Sequence, residues 1–318
     1  MKKKGTYYDA VVGVSVNPEM ELTVENTAGP KKTLRCMTCC LSGSSGNTAT
    51  AIKCLGGCPH LVGLVGTEFQ SSKKVEDILL RNVIEKGGVP FTPLEVLSET
   101  NHAVIPVISE SNGEVWGKKG NLVHSVVSET LQDLAGPEVG IGPNTFVVIT
   151  GLRAVEMPFA EALLFQAQPG YRLLNAKDTL CASKEFKKIL PLVDILVLNK
   201  REFDETGMDL RKIHSYGPRI IVVTAADKGG LFSLSPILWS HYWEEWKAVS
   251  YPGGIYETGA GDWFLGALVS ELIRLKESAS IVINSQKFSE IISFAAKVAG
   301  KKVTIPGGGN GPSRHQLR

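Results

Sequence analysis

Residues 258–262 read Thr258-Gly259-Ala260-Gly261-Asp262. Pro252-Gly253-Gly254 marks a turn before them, and Trp263, Phe264, Ala267, Leu268 and Leu272 follow at helical spacing. Two glycines therefore sit at a predicted helix N-terminus with a carboxylate on its first turn. Glycine lets backbone N–H groups approach an anion closely, and the helix dipole adds positive potential. A carboxylate beside such a site makes chemical sense if Asp262 takes a proton from a nucleophile while the amides hold developing negative charge. That combination suits phosphoryl transfer to a hydroxyl. Taken alone, the motif reads equally as a Gly-rich loop whose aspartate merely complements the dipole.

Working outward, the chain alternates apolar strands with helical segments. Tyr8–Val16 and Leu61–Val65 read as strands, as do Phe146–Thr150, Tyr171–Asn175, Asp194–Leu198 and Arg219–Thr224. Such alternation predicts an α/β fold: right-handed crossovers and a mostly parallel central sheet flanked by helices. Ser72–Lys86 predicts an amphipathic helix with Val75, Ile78, Leu79, Val83 and Ile84 on one face. Ser42–Asn47 reads as a flexible turn feeding a small-residue helix at Thr48–Leu55. His102–Ser109 and Glu114–Gly117 read as a hairpin outside the α/β rhythm, which predicts a small β-sheet lid, its strands approximately within residues 14–40 and 95–122. The reading is one domain over residues 1–318. Trp239, Tyr242, Trp243 and Trp246 lack an accompanying basic stripe and are read as local packing.

A formal net charge of +2 demands no nucleic-acid partner, and no apolar run is long enough to cross a membrane. A cytoplasmic location is expected, and with it reduced thiols. Cys36, Cys39, Cys54 and Cys58 have a spacing that resembles a four-thiolate zinc site. Buried free thiols are the expectation instead, because Cys54 falls late in a predicted helix.

Five segments, in order, resemble the ribokinase-type (PfkB) carbohydrate kinase family over nearly the whole chain. They are Ser42–Gly57, Asn199-Lys200-Arg201-Glu202, the turn from Thr224 to Gly229, Gly259-Ala260-Gly261-Asp262, and Ala295 to Gly307. The resemblance implies a ribokinase-like fold, ATP as donor with Mg²⁺, and a sugar or sugar-like hydroxyl as acceptor. It implies Asp262 as base, with the amides of Gly259, Ala260 and Gly261 as anion hole. It assigns Asn199 and Glu202 to Mg²⁺ through water rather than as direct ligands. Thr224, Gly229, Thr258 and Ala295 fall beside the nucleotide, and Asn17, Glu21, Gly43 and Asn47 beside the acceptor. A family tendency to dimerise through the lid gives a homodimer as the expected partner.

Several positions depart from the pattern. Asn17-Pro18-Glu19-Met20-Glu21-Leu22-Thr23 resembles the opening of the 1-phosphofructokinase and tagatose-6-phosphate kinase branch. Two cations of that branch are replaced by Ser44 and Asn101. A phosphosugar acceptor therefore loses ground to an uncharged sugar, polyol or nucleoside. Tyr256 stands where the family has an aspartate that helps hold an activating monovalent cation, so the resemblance does not carry that activation over. Ala226 replaces the middle glycine of the nucleotide turn. These departures keep in view a catalytically weak relative that acts by binding.

Overall fold

The computed structural model describes residues 8–14, 16–25, 33–66, 68–96, 105–110, 115–117, 139–152, 156–235, 243–254, 256–277 and 284–317. The main sheet has nine strands in the spatial order β13-β12-β11-β10-β9-β8-β1-β4-β5. They are β1 (Ala10–Val14), β4 (Pro59–Gly66), β5 (Phe91–Val96), β8 (Phe146–Leu152), β9 (Arg172–Ala176), β10 (Ile195–Asn199), β11 (Ile220–Thr224), β12 (Gly230–Leu234) and β13 (Trp243–Trp246). From β5 to β11 every neighbouring pair is parallel, and β12 and β13 add antiparallel strands at one edge.

Alternation along the strands splits the core in two, because successive side chains leave opposite faces. Ala10, Val12, Val148, Leu173, Val197 and Val222 meet helices α1 (Gly43–Cys54), α2 (Val75–Gly87), α8 (Ala260–Glu277) and α9 (Ser285–Lys302). Val11, Val147, Ile149, Leu174, Leu196 and Val223 form the other core. They meet residues of α3 (Met157–Gln166), α5 (Lys184–Ile189) and α7 (Leu210–Tyr216); α4 (Asp178–Cys181) and α6 (Lys200–Glu205) complete the helices of this account. Burial on both faces explains why these strands read as continuous Val/Ile/Leu runs.

A separate four-stranded sheet has the order β3-β2-β6-β7, from β2 (Asn17–Glu25), β3 (Thr33–Ser42), β6 (Ile105–Glu110) and β7 (Val115–Gly117). β6 and β7 pair antiparallel, matching the hairpin read from sequence, and β2 pairs parallel with β6. The second sheet occupies the segments expected for a lid. Among the described residues no helix is long and apolar enough to cross a membrane.

Two local expectations need correction. α1 begins at Gly43, not Thr48: Gly43 turns the chain with φ +76°, and Ser44 to Asn47 are already helical. α2 buries a shifted face. Val83 is buried and Ile84 packs against the core as expected, but Val75 is 65% exposed and Ile78 is also exposed, while Leu80 is buried instead. Asp77 is buried with them and accepts a 2.5 Å hydrogen bond from Ser72 Oγ, so a polar residue at the helix start moves the inward stripe around the helix.

Trp246 stacks on Phe264 with ring centroids 5.2 Å apart, as packing requires, but Trp243 stays 54% exposed on the sheet edge. Trp239 and Tyr242 lie outside the described residues. Cys39 and Cys40 are adjacent on β3, where neighbouring side chains diverge, and among the described residues no cluster of histidine, cysteine and acid could hold a metal ion.

Candidate active site

Parallel α/β sheets present their ligands at the carboxyl ends of the strands. Four polar residues stand there on successive strands. Asn199 ends β10 in register with Thr224, which ends β11. On the other side, Thr150 Oγ1 donates to Asn175 Oδ1 at 3.2 Å, and Asn175 Nδ2 donates to the Val197 carbonyl at 2.9 Å. This row of hydrogen bonds ties β8, β9 and β10 together below the site.

Asp262 lies on the first turn of α8. Asn47, on the first turns of α1, donates from Nδ2 to Asp262 Oδ2 at 2.8 Å. The bond crosses between two helices in direct backbone contact: a Cβ on Gly266 of α8 would lie 2.5 Å from Ala51 Cβ and 2.9 Å from the Thr48 carbonyl. Thr48 Oγ1 also donates to the Asp262 carbonyl at 3.4 Å. Asn47 is 3% exposed, and its Oδ1 is a buried atom without a hydrogen-bond partner among the described residues. The N-cap position of α1 belongs to Ser42, not to Asn47.

Gly259 has φ +80°, a conformation disfavoured for any residue with a Cβ, and a Cβ there would lie 2.5 Å from the Gly308 carbonyl. Beside Gly261 the space is open: apart from its chain neighbours and its own helix backbone, no described atom lies within 4 Å of where a Cβ would be. The Ala260 amide is engaged with the Glu257 carbonyl at 3.1 Å. Among the described residues the amides of Gly259 and Gly261 have no backbone acceptor. The positive end of α8 thus offers two amides and clear space to an anion. Thr258 forms the turn just before them.

The remaining sequence-derived residues divide. Asn199 and Glu202 form a reciprocal capping box: Glu202 N donates to Asn199 Oδ1 and Asn199 N to Glu202 Oε2, each at 2.8 Å. Glu202 is 2% exposed, not a solvated helical glutamate. Thr224 Oγ1 points to the Leu198 carbonyl at 3.5 Å. Gly229 has φ +89° and lies against the β13 backbone, where a Cβ would meet the Trp246 carbonyl at 2.1 Å. Ala226 takes φ +49°, a left-handed conformation for an L-residue. Ala295 is fully buried in the core and offers no side chain to a nucleotide. Asn17 pairs with Ser42 in the β2–β3 ladder, beside Gly43, and Glu21 lies four positions farther along β2, paired with Thr38.

The sequence reading missed the loop after α9. Residues 307–311 reach the Gly259 turn. Trp263 Nε1 donates to the Gly308 carbonyl at 3.0 Å, and a Cβ on Gly309 would lie 1.8 Å from the Leu41 carbonyl. The run Gly307-Gly308-Gly309 was the available signal, since three adjacent glycines permit close backbone contact on several sides.

Residues 10–315 match the model of the pfkB family carbohydrate kinases. Among solved structures, the ribokinase of Giardia lamblia superposes with a TM-score of 0.72 at 19% identity, covering 98% of each chain. The Methanocaldococcus jannaschii nucleoside kinase, a member of the ribokinase family, gives 0.67 at 17% identity over 98% of each chain. Arabidopsis thaliana ribokinase, complexed with ribose and ATP, gives 0.63 at 16% identity over 98% of each chain. No curated protein matches the chain by sequence. The fold is the one shared by these sugar and nucleoside kinases, and the match over residues 10–315 places this chain in the pfkB family of carbohydrate kinases.

Proposed function

We propose that this protein is an ATP-dependent kinase that phosphorylates a hydroxyl of a sugar or sugar-like acceptor, with Asp262 as general base and the Gly259–Gly261 turn as anion hole. The observation that carries the reading is the 2.8 Å bond from Asn47 to Asp262 beside the open space over Gly261. A binding protein has no need of a carboxylate clamped at the mouth of an anion site.

The residues fit Mg²⁺-ATP. The clear space and two amides at the α8 N-terminus suit a phosphate. Thr224 and Gly229 would flank the nucleotide. Asn199 and Glu202 already bond each other, so they suit Mg²⁺ through water and not as direct ligands. When bound, ATP supplies the phosphoryl group and Mg²⁺ offsets its charge. Asn47 fixes one oxygen of the Asp262 carboxylate, which accepts the proton of the acceptor hydroxyl. The amides of Gly259 and Gly261 take up charge that develops in the transition state. Asn17 and Gly43, joined through the β2–β3 ladder, would border the acceptor, with Glu21 farther out on the lid. A lid over that pocket excludes water and so suppresses ATP hydrolysis.

The acceptor is proposed to carry no phosphate. Ser44 is uncharged, and Lys53 is engaged elsewhere: its Nζ donates to the carbonyls of Gly87 and Gly88 at 2.6 and 2.8 Å, closing the C-terminus of α2. Asn101, Lys118, Lys119 and Arg153 lie outside the described residues. An ADP-release screen across free sugars, polyols, nucleosides and phosphosugars tests both parts. An unphosphorylated compound should give the highest kcat/KM. A phosphosugar in that place would refute the acceptor class, and nucleotide binding without turnover on any acceptor would refute the kinase.

A further inference from the structure

Lys302 is the last residue of α9 and has 0% exposure, the only charged residue among the largest fully buried side chains of the described residues. A lysine in water keeps its head hydrated; a buried one must find oxygen atoms instead. Lys302 Nζ donates to the Ile305 carbonyl at 2.9 Å. It does so at the C-terminus of an 18-residue helix, where the last carbonyls carry partial negative charge.

The surroundings give this burial a use. Ile305 begins the segment that becomes the Gly307–Gly311 loop, whose Gly308 carbonyl is in contact range of Gly259 and bonds the Trp263 indole. On the other side of Lys302, the Val303 carbonyl accepts from Tyr256 N at 2.8 Å, just before the Thr258–Asp262 turn. Both backbone approaches to the anion hole are therefore anchored within three residues of one buried amine. The neighbouring Lys301, by contrast, keeps its Nζ over the Tyr251 ring at 5.4 Å.

We propose that Lys302 is a positioning residue for phosphoryl transfer: its ammonium is a tethered internal cation that fixes the 305–311 loop behind the Gly259–Gly261 turn, so that turnover needs no monovalent cation from solution. The proposal rests on the kinase reading given above for what the turn does. A covalently tethered ammonium has the charge and roughly the size of a potassium or ammonium ion. It fills such a place at any salt concentration.

Replacement of a buried charge by an apolar side chain of similar volume is often neutral or stabilising. Lys302→Met therefore separates positioning from simple support. Turnover should fall about tenfold or more, as small misplacements at a reacting centre do, with acceptor KM changed less than about threefold and melting temperature equal or higher. Lys302→Ala leaves room for an ion. Potassium or ammonium chloride should restore its turnover and raise its melting temperature, whereas choline chloride should do neither. Lys302→Arg, which keeps the charge, should retain more turnover than Lys302→Met. Wild-type turnover should be equal in potassium, sodium and choline chloride.

Potassium activation of the wild type, or wild-type kcat in Lys302→Met, would overturn the proposal. If Lys302→Ala fails to fold, the Met–Arg contrast still decides. If the wild type turns over no acceptor, the kinase reading has failed instead, and selective melting-point rescue of Lys302→Ala by potassium still tests the internal cation.

Discussion

Replacing Asn47 by alanine removes one hydrogen bond to the proposed base and little else. The bond is 2.8 Å long, and its acceptor is a carboxylate, so Asn47 must present its NH₂ group. Hydrogen bonds to charged groups contribute about 1.5–3 kcal/mol. If the bond is fully expressed in holding Asp262 for proton transfer, kcat falls by roughly 10- to 150-fold at 1.36 kcal/mol per decade. Stability should change far less. Asn47 buries an Oδ1 without a partner, itself a cost of about 1–3 kcal/mol that alanine relieves and that offsets the lost bond and the small void. The assay is steady-state ADP release with the best acceptor from the screen, alongside thermal unfolding. A large fall in kcat with a melting temperature within about 3 °C of wild type is expected. A kcat within threefold of wild type would refute the argument that this contact positions the base. A fall matched by a collapse in stability would show that it serves the α1–α8 packing instead.

Asp262→Asn should retain nucleotide binding but lose about 10²–10⁴-fold in turnover, measured by ADP release beside a nucleotide titration. Ala226→Gly should raise the melting temperature slightly, since left-handed geometry costs an L-residue about 1–2 kcal/mol and glycine gives back part of that as chain entropy; a clear decrease would mean that the Ala226 methyl packs usefully. His60 and His214 are held below the ordinary histidine pKa by burial, with the Pro218 carbonyl only partly opposing this at His214. The unfolded chain therefore binds more protons than the fold. Their contribution is complete above the ordinary value of 6.5 and is lost as pH falls below it. Melting temperature should drop between pH 7.5 and 5.5, and His60→Leu should flatten that slope; an unchanged slope would count against the assignment. Burial also raises the thiol pKa values of Cys39, Cys54 and Cys58, which disfavours thiolate, so metal analysis should find well under one zinc per chain.

The parallel sheet was legible because both of its faces are buried, which writes Val-rich runs into the sequence. The hairpin at β6–β7 was legible from Ser111-Asn112-Gly113. The α1 start was not, because Gly43 and two serines look like a loop until the packing of α1 on α8 outweighs their low helix propensity. The α2 face was misjudged for a related reason: Asp77 counts as polar in any periodicity, yet Ser72 supplies the partner that lets it turn inward. At the site, sequence could nominate Asp262 and Asn47 separately, but residues 215 positions apart give no sign that they bond. Ala295 was placed by motif order alone, which carries no information about which side of a helix faces the core. Lys302 was invisible, since a Lys-Lys pair at a helix end reads as solvated until a loop folds over it.

Ser42 is at once the last residue of lid strand β3 and the N-cap of α1, so there is no linker between the lid sheet and the helix that carries Asn47. The junction is phased. One residue inserted after Ser42 would turn the rest of α1 by about 100° relative to β3, or else force β3 out of step with β2. Either way the register between the Asn17–Ser42 pair of the ladder and Asn47, bonded to Asp262, would be lost. The five-residue interval from Ser42 to Asn47 is locked like the teeth of a gear, and change there must come by substitution, not by insertion.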